Sequence, residues 1–161
     1  MDHRDKEILR ELSRNARISN AALARVVGLS ESSTLERVKR LEAEGVIQGY
    51  SARIEPSAVG RDIEAILHIQ LSHHQEDEAE RFRQTMLEQE DVLSCFAVAG
   101  RVDFIARVAV PNMHAYEQLI SRLLRLKAID RVESMFVLKA IKREAVPTPW
   151  LPPDARETPE K

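Results

Sequence analysis

The chain has 161 residues, 43% of them hydrophobic and 31% charged, enough for one ordinary domain or two small ones that lean on each other or on a partner. No apolar run approaches the roughly 20 residues that cross a bilayer, and the opening Met1-Asp2-His3-Arg4-Asp5-Lys6 lacks the apolar stretch of a secretory signal, so no membrane partner and a cytoplasmic location are expected. A single cysteine, Cys95, excludes an internal disulfide and a thiolate zinc cluster, and the formal net charge of −2 exerts no global pull toward nucleic acid.

Residues 1–55 hold 10 Lys/Arg against 9 Asp/Glu, and residues 56–161 hold 14 against 17, so the first third is slightly the more basic. Its periodicity is helical. Ile8, Leu9 and Leu12 share one face, Leu23, Val26 and Val27 a second, and Leu35, Val38 and Leu41 a third. Ser19 is placed to cap the second helix and Gly28 to end it, while Ser30 caps the third and Gly45 ends it. A connection as short as Gly28-Leu29-Ser30 between amphipathic helices is the signature of a helix-turn-helix. Residues 46–54 read as a strand or wing, and the boundary falls between Pro56 and Gly60.

Beyond that boundary the period becomes two. Ile63, Ala65, Leu67, Ile69 and Leu71 alternate with Glu64, His68, Gln70 and Ser72, as in a strand with one buried face. Residues 76–90 carry Ala79, Phe82, Met86 and Leu87 at helical spacing. Strand patterns over 92–98 and 104–110 flank a hairpin turn, Met113 to Leu124 form a further amphipathic helix, and 132–138 a last strand. The order βαββαβ predicts a four-stranded antiparallel sheet with both helices on one face, a ferredoxin-like sandwich. Its uncovered face carries Ile66, Leu93 and Val137, so a dimer through sheet packing is expected. Five of the seven prolines lie in 147–161, which reads as an extended or disordered tail. The fold class is therefore α+β, with a helix-turn-helix domain over 1–45, a strand and linker over 46–61, the sandwich over 62–144 and a proline-rich tail over 145–161.

A recognition helix presents its N-terminal residues to base edges in the major groove and its cations to phosphates. In the third helix Glu31, Ser32, Ser33 and Thr34 form the first turn, and Ser33, Arg37 and Arg40 share a polar stripe opposite Leu35, Val38 and Leu41. Arg37 is the candidate for guanine readout. Ser32, Ser33 and Thr34 are candidates for mixed base and phosphate contacts and Lys39 and Arg40 for phosphates, with Ser30 and Glu31 in the same DNA-binding set. Glu31 and Glu36 are awkward against DNA and either accept from a cytosine amino group or face away. The plain alternative for such a charged stripe is a solvated helix face.

Four segments, Ala16-Arg17-Ile18-Ser19-Asn20, Val27-Gly28-Leu29-Ser30, Leu35-Glu36-Arg37-Val38-Lys39-Arg40-Leu41-Glu42 and Gly45-Val46-Ile47-Gln48-Gly49-Tyr50, resemble the helix-turn-helix of the Lrp/AsnC, or feast/famine, regulators. The likeness continues through Cys95, Ala99-Gly100-Arg101-Val102-Asp103-Phe104 and Val110-Pro111-Asn112-Met113-His114-Ala115-Tyr116, and spans roughly residues 2–144. It implies a transcriptional regulator that binds double-stranded DNA, forms homodimers that assemble into larger rings, commonly octamers, and takes an amino-acid effector between dimers. The family's Gly-x-x-Asp effector loop is matched by Gly100 and Asp103, which makes Ala99, Gly100, Arg101, Val102 and Asp103 the candidate effector turn. Ser134 stands where many members have threonine. A zwitterionic ligand needs donors for its carboxylate and an acceptor for its ammonium. Two departures are Arg101, where an acidic or polar residue is frequent, and Lys127-Ala128, where a Pro-Gly pair is. Arg101 either pairs with an effector carboxylate or points to solvent.

His73-His74 with Asp77, and His68, are conceivable metal ligands, though a polar strand end is the simpler reading, and no metal or cofactor is expected. Cys95 reads as a small buried hydrophobe. With no Ser/His/Asp set, phosphate-cradling glycine loop or HExxH motif, an enzyme is not expected. The remaining alternatives are a stand-alone amino-acid-sensing or interaction module of the same sandwich fold, and a small metal-dependent enzyme using the His73-His74 region.

Overall fold

A computed structural model describes residues 1–72, 76–142 and 149, with the backbone alone for 76–78. The expected tail beyond residue 144 (Pro149 apart), Trp150 and the His73-His74 pair thus lie outside the described residues. The chain forms two compact units that divide between Ala52 and Arg53.

The first unit is three helices: α1 (His3–Arg14), α2 (Asn20–Val27) and α3 (Glu31–Ala43). Each begins on a side-chain cap. Asp2 and Asp5 form a reciprocal capping box on α1, Ser19 accepts from the Ala22 N–H, and Ser30 accepts from the Ser33 N–H. Gly28 ends α2 at φ 65°, a left-handed conformation that L side chains adopt only at a cost. Ile8, Leu23, Val27 and Leu41 make the centre of the core, with Leu9, Leu12, Ile18, Leu29, Val38 and Ile47 packed around it.

Two expected core residues lie outside. Val26 is 59% exposed and Leu35 44%. On α3 the inward stripe is Thr34, Val38 and Leu41, spaced i, i+4, i+7, which rotates the helix one position from the expected phase. Thr34 tolerates full burial because its hydroxyl donates to the Ser30 carbonyl at 3.0 Å. No strand forms over 46–54. A strand needs a neighbour for its backbone groups, whereas here the N–H groups of Val46 and Ile47 turn back to the Leu41 carbonyl.

The second unit begins with a short 3-10 turn, Pro56–Val59, closed by Gly60 at φ 75°. It continues as β1 (Ile63–Leu71), α4 (Glu76–Glu88), β2 (Val92–Ala97), β3 (Phe104–Val110), α5 (Met113–Leu124) and β4 (Ile129–Phe136). The four strands order β2-β3-β1-β4, and every neighbouring pair is antiparallel, the arrangement expected of two right-handed split βαβ units. The last strand starts three residues earlier than its alternation suggested, because Ile129 pairs with Leu71 across an irregular step in the register.

Ala65, Leu67 and Ile69 of β1 and Ala106, Val108 and Val110 of β3 pack with Phe82 and Met86 of α4 and Tyr116, Leu119 and Leu123 of α5. The Phe82 and Phe104 rings approach to 4.7 Å and those of Tyr116 and Phe136 to 4.9 Å, distances typical of favourable aromatic pairs. Cys95 packs against this core, and burial pushes its thiol pKa up, which suits a hydrophobe and opposes a nucleophile. Register sets Ile66 beside Arg107 and Met135, and Phe96 beside Ile105, on the opposite sheet face. There Leu93, Phe96 and Met135 are exposed and Ile66 is half-buried.

Candidate nucleic-acid interface and effector turn

The geometry of α3 relative to α2 is set by the Gly28-Leu29-Ser30 turn and by Asn20, whose Nδ2 donates to the Glu31 carbonyl at 2.8 Å. Its relation to α1 is set by one carboxylate. Asp5 is 1% exposed; it accepts from the Asp2 N–H at 2.8 Å and from Arg37 Nη1 at 2.8 Å, and it forms an ion pair with Arg40 Nη2 at 2.7 Å. Burial pushes this carboxyl's pKa up, but the bonds to Asp2, Arg37 and Arg40 outweigh it and hold the value below the usual range. Arg37 Nη1 also donates to Asp2 Oδ2 at 2.6 Å. The Asp2 carboxyl is lowered to about 2, first by its bond from the Asp5 backbone and next by Arg37, and Arg37 is raised in turn by both aspartates.

This network revises the expected recognition surface. Arg37, the candidate guanine reader, is turned toward α1, and its side chain is only 27% exposed. Arg40 shares Asp5, with Glu44 3.9 Å away, and remains 47% exposed. Thr34 is fully buried and belongs to the core, so it has no surface to offer a base. Ser30 is the helix cap, within 3.1 Å of the Ser32 hydroxyl, and Ser33 is half-buried. The residues on the outer side of α3 are Glu31, Ser32, Leu35, Glu36 and Lys39, all exposed.

Hydropathy and spacing assign Leu35 to the apolar stripe, yet it faces outward. The available signal was the spacing Thr34-Val38-Leu41, with a threonine four residues after Ser30 able to bond back to its carbonyl. Arg17 and Arg25 are two further cations of this unit. Both are exposed, one before α2 and one in its last turn. Tyr50 donates to Glu42 Oε1 at 2.8 Å, and partial burial followed by that carboxylate raises its pKa to about 12.

In the second unit the loop over 98–103 is closed by the Val98 N–H donating to the Asp103 carbonyl at 2.9 Å. Asp103 is anchored to β1 twice: its N–H donates to the Ile69 carbonyl at 3.0 Å and its Oδ2 accepts from the Leu71 N–H at 2.7 Å. Ala99, Gly100 and Arg101 are exposed and Val102 is half-buried. Ser134 does not join this turn within one chain. It pairs with Leu67 on the opposite side of β1 from β3, two strand spacings and three residues away, or about 14 Å. Among the described residues no three His, Cys, Asp or Glu side chains gather as a metal site, and no helix is long and apolar enough to cross a membrane.

Residues 1–48 match the winged helix-turn-helix DNA-binding family, and residues 64–147 match the Lrp/AsnC ligand binding domain. The leucine-responsive regulatory protein of Escherichia coli K12 is 35% identical over 144 residues, covering 89% of this chain and 88% of that one. Among solved structures, a Neisseria meningitidis transcriptional regulator in complex with L-Met superposes with a TM-score of 0.85 at 32% identity, covering 91% of this chain and 96% of that one. A feast or famine regulatory protein of Mycobacterium tuberculosis complexed with L-methionine gives 0.82 at 34%, covering 92% and 99%.

Proposed function

The chain belongs to the Lrp/AsnC family of DNA-binding transcriptional regulators, and from that premise we propose that its hold on DNA answers to a free amino acid bound at the turn over 99–103, between dimers. One observation carries this reading. Gly100 is exposed, its φ is unexceptional, and a Cβ added there would meet nothing within 4 Å. Its own chain therefore has no need of glycine at that point, whereas a ligand lying against the backbone does. The exposed backbone of the turn offers N–H donors to a carboxylate. Asp103 retains Oδ1 for an ammonium, since Oδ2 is engaged by Leu71. Ser134 would reach such a ligand only from a neighbouring subunit. The two methionine complexes among the similar structures support an amino acid as the ligand class.

The protomers pair through the open sheet face around Ile66, Phe96 and Met135, and dimers join into a larger even-numbered assembly with the octamer as its form. Sedimentation at the mass of one chain would refute this. DNA is met by Ser32, Leu35, Glu36 and Lys39 of α3, with Glu31 and Ser33 at the flanks of that face. The unpaired N–H groups of Arg40, with Arg17 and Arg25, face phosphates. Two such helices enter successive major grooves about 10 bp apart. The protein works in the cytoplasm as a regulator and not as an enzyme.

Calorimetric titration of the twenty amino acids into the full chain tests the effector, and Gly100→Ala tests its place. Folding of this variant is unchanged, and affinity for the effector falls about tenfold as the added methyl displaces it. Equal affinity in both proteins, or heat from none of the twenty, would refute the assignment. Gly100 is the cleaner choice for substitution because Asp103 also ties down the end of β1.

A further inference from the structure

We propose that Leu35 is a sequence-reading residue, its side chain lying against the C5-methyl group of a thymine in the major groove of the operator. This rests on the reading of α3 as the recognition helix. At 100° per residue, Leu35, Glu36 and Lys39 lie within about 60° of Ser32, on the side of α3 opposite the buried Thr34 and Leu41. Arg37 lies on the inner flank of the helix and is held by Asp2 and Asp5, and Arg40 is shared with Asp5 at the outer edge of the face. The groove-facing set is thus one hydroxyl, one carboxylate, one ammonium and one alkyl group.

Each of these has a partner of matching chemistry on DNA. A hydroxyl serves donors and acceptors alike, a carboxylate accepts from the cytosine amino group, and an ammonium meets phosphates or guanine. The alkyl group has one: the thymine methyl is the apolar feature of the major-groove edge. A single exposed leucine on a protein surface is ordinary. This one is 44% exposed in the second turn of α3, among polar residues on every outward side, and in the helical half that enters the groove. Glu36 beside it also discourages a phosphate contact at that spot, which leaves a base edge as the surface Leu35 meets.

The test uses the full chain and an operator enriched from random duplexes by the wild-type protein. Each thymine is replaced in turn by deoxyuridine, which removes the C5-methyl and nothing else. One position per half-site should cost the wild type about 3- to 10-fold in affinity, the range expected for a single buried methyl contact. Leu35→Ala should lose a similar factor on the thymine operator, lose nothing further on the deoxyuridine operator, and keep the wild-type salt slope. Leu35→Gln should shift the enriched base at that position from thymine toward adenine, which glutamine reads with two hydrogen bonds.

Equal deoxyuridine penalties in wild type and Leu35→Ala at every position would overturn the proposal. So would a drop of Leu35→Ala to a smaller assembly, which would make Leu35 a contact between copies. Failure of the underlying reading looks different: the wild type would then enrich no sequence and bind duplex DNA without a steep salt dependence.

Discussion

Replacing Asp5 with alanine deletes a carboxylate that is 1% exposed, accepts hydrogen bonds from the Asp2 N–H and Arg37 at 2.8 Å, and pairs with Arg40 at 2.7 Å. Breaking a fully buried ion pair costs about 3–5 kcal/mol, because one charge is stranded in a dry interior. Here the stranded side chains are 27% and 47% exposed, and they keep Asp2 at 2.6 Å and Glu44 at 3.9 Å, so water and the remaining carboxylates recover much of that. The lost half of the capping box adds about 1 kcal/mol. The net expectation is a loss of about 2–3 kcal/mol for Asp5→Ala, and clearly less for Asp2→Ala, whose side chain is exposed. Hydrogen exchange on the full chain, resolved to peptides of α1 and α3, reads the opening free energy of the first unit, while peptides of β1 and β3 serve as the internal control. A loss below about 0.5 kcal/mol, or equal losses for the two aspartates, would refute the picture of Asp5 as the post on which α1 and α3 are hung.

Thr34→Val keeps the shape of a fully buried side chain and removes one hydroxyl. The Ser30 carbonyl still receives the residue 34 N–H at 3.0 Å, so the cost should stay below about 1 kcal/mol and operator affinity should hold within about twofold. A tenfold loss of DNA binding without a loss of stability would return Thr34 to the interface. Acid should weaken the first unit in a defined window. Asp2 falls from 3.8 to about 2 on folding, and Asp5 is lowered as well. For groups depressed in the folded state the stabilisation is complete above about pH 4 and is lost as pH falls toward 2. Thermal unfolding of the first unit between pH 5 and 2 should show this decline, and Asp5→Asn should flatten it. An unchanged slope in that variant would exclude Asp5 as a source.

Much of the architecture was legible in the amino-acid order because it depends on near neighbours. Ser19 and Ser30 act on N–H groups three residues away, Gly28 is needed where α2 turns left-handed, and the alternation from Ile63 to Leu71 follows from the pleat of a strand. The resemblance to the Lrp/AsnC regulators was likewise contained in short segments at fixed spacing. Local signals failed wherever a partner came from far along the chain. Arg37 meets Asp2 and Asp5 across 35 and 32 residues, and nothing at residue 37 announces that its charge is already matched. Thr34 and Leu35 are adjacent, and hydropathy favoured the wrong one for the core, since what admits Thr34 is the acceptor presented by Ser30. Ser134 and Gly100 lie in the same sandwich, yet β1 stands between their strands. The sequence thus determined the five helices, the four strands of the sheet and their order, because propensity, capping and periodicity act over a few residues, while the segment over 46–54 and the start of β4 depended on which distant backbone was there to pair. Which side chains remain free to meet DNA or a ligand was decided only by the tertiary structure, because burial and charge pairing are properties of surfaces that folding brings together.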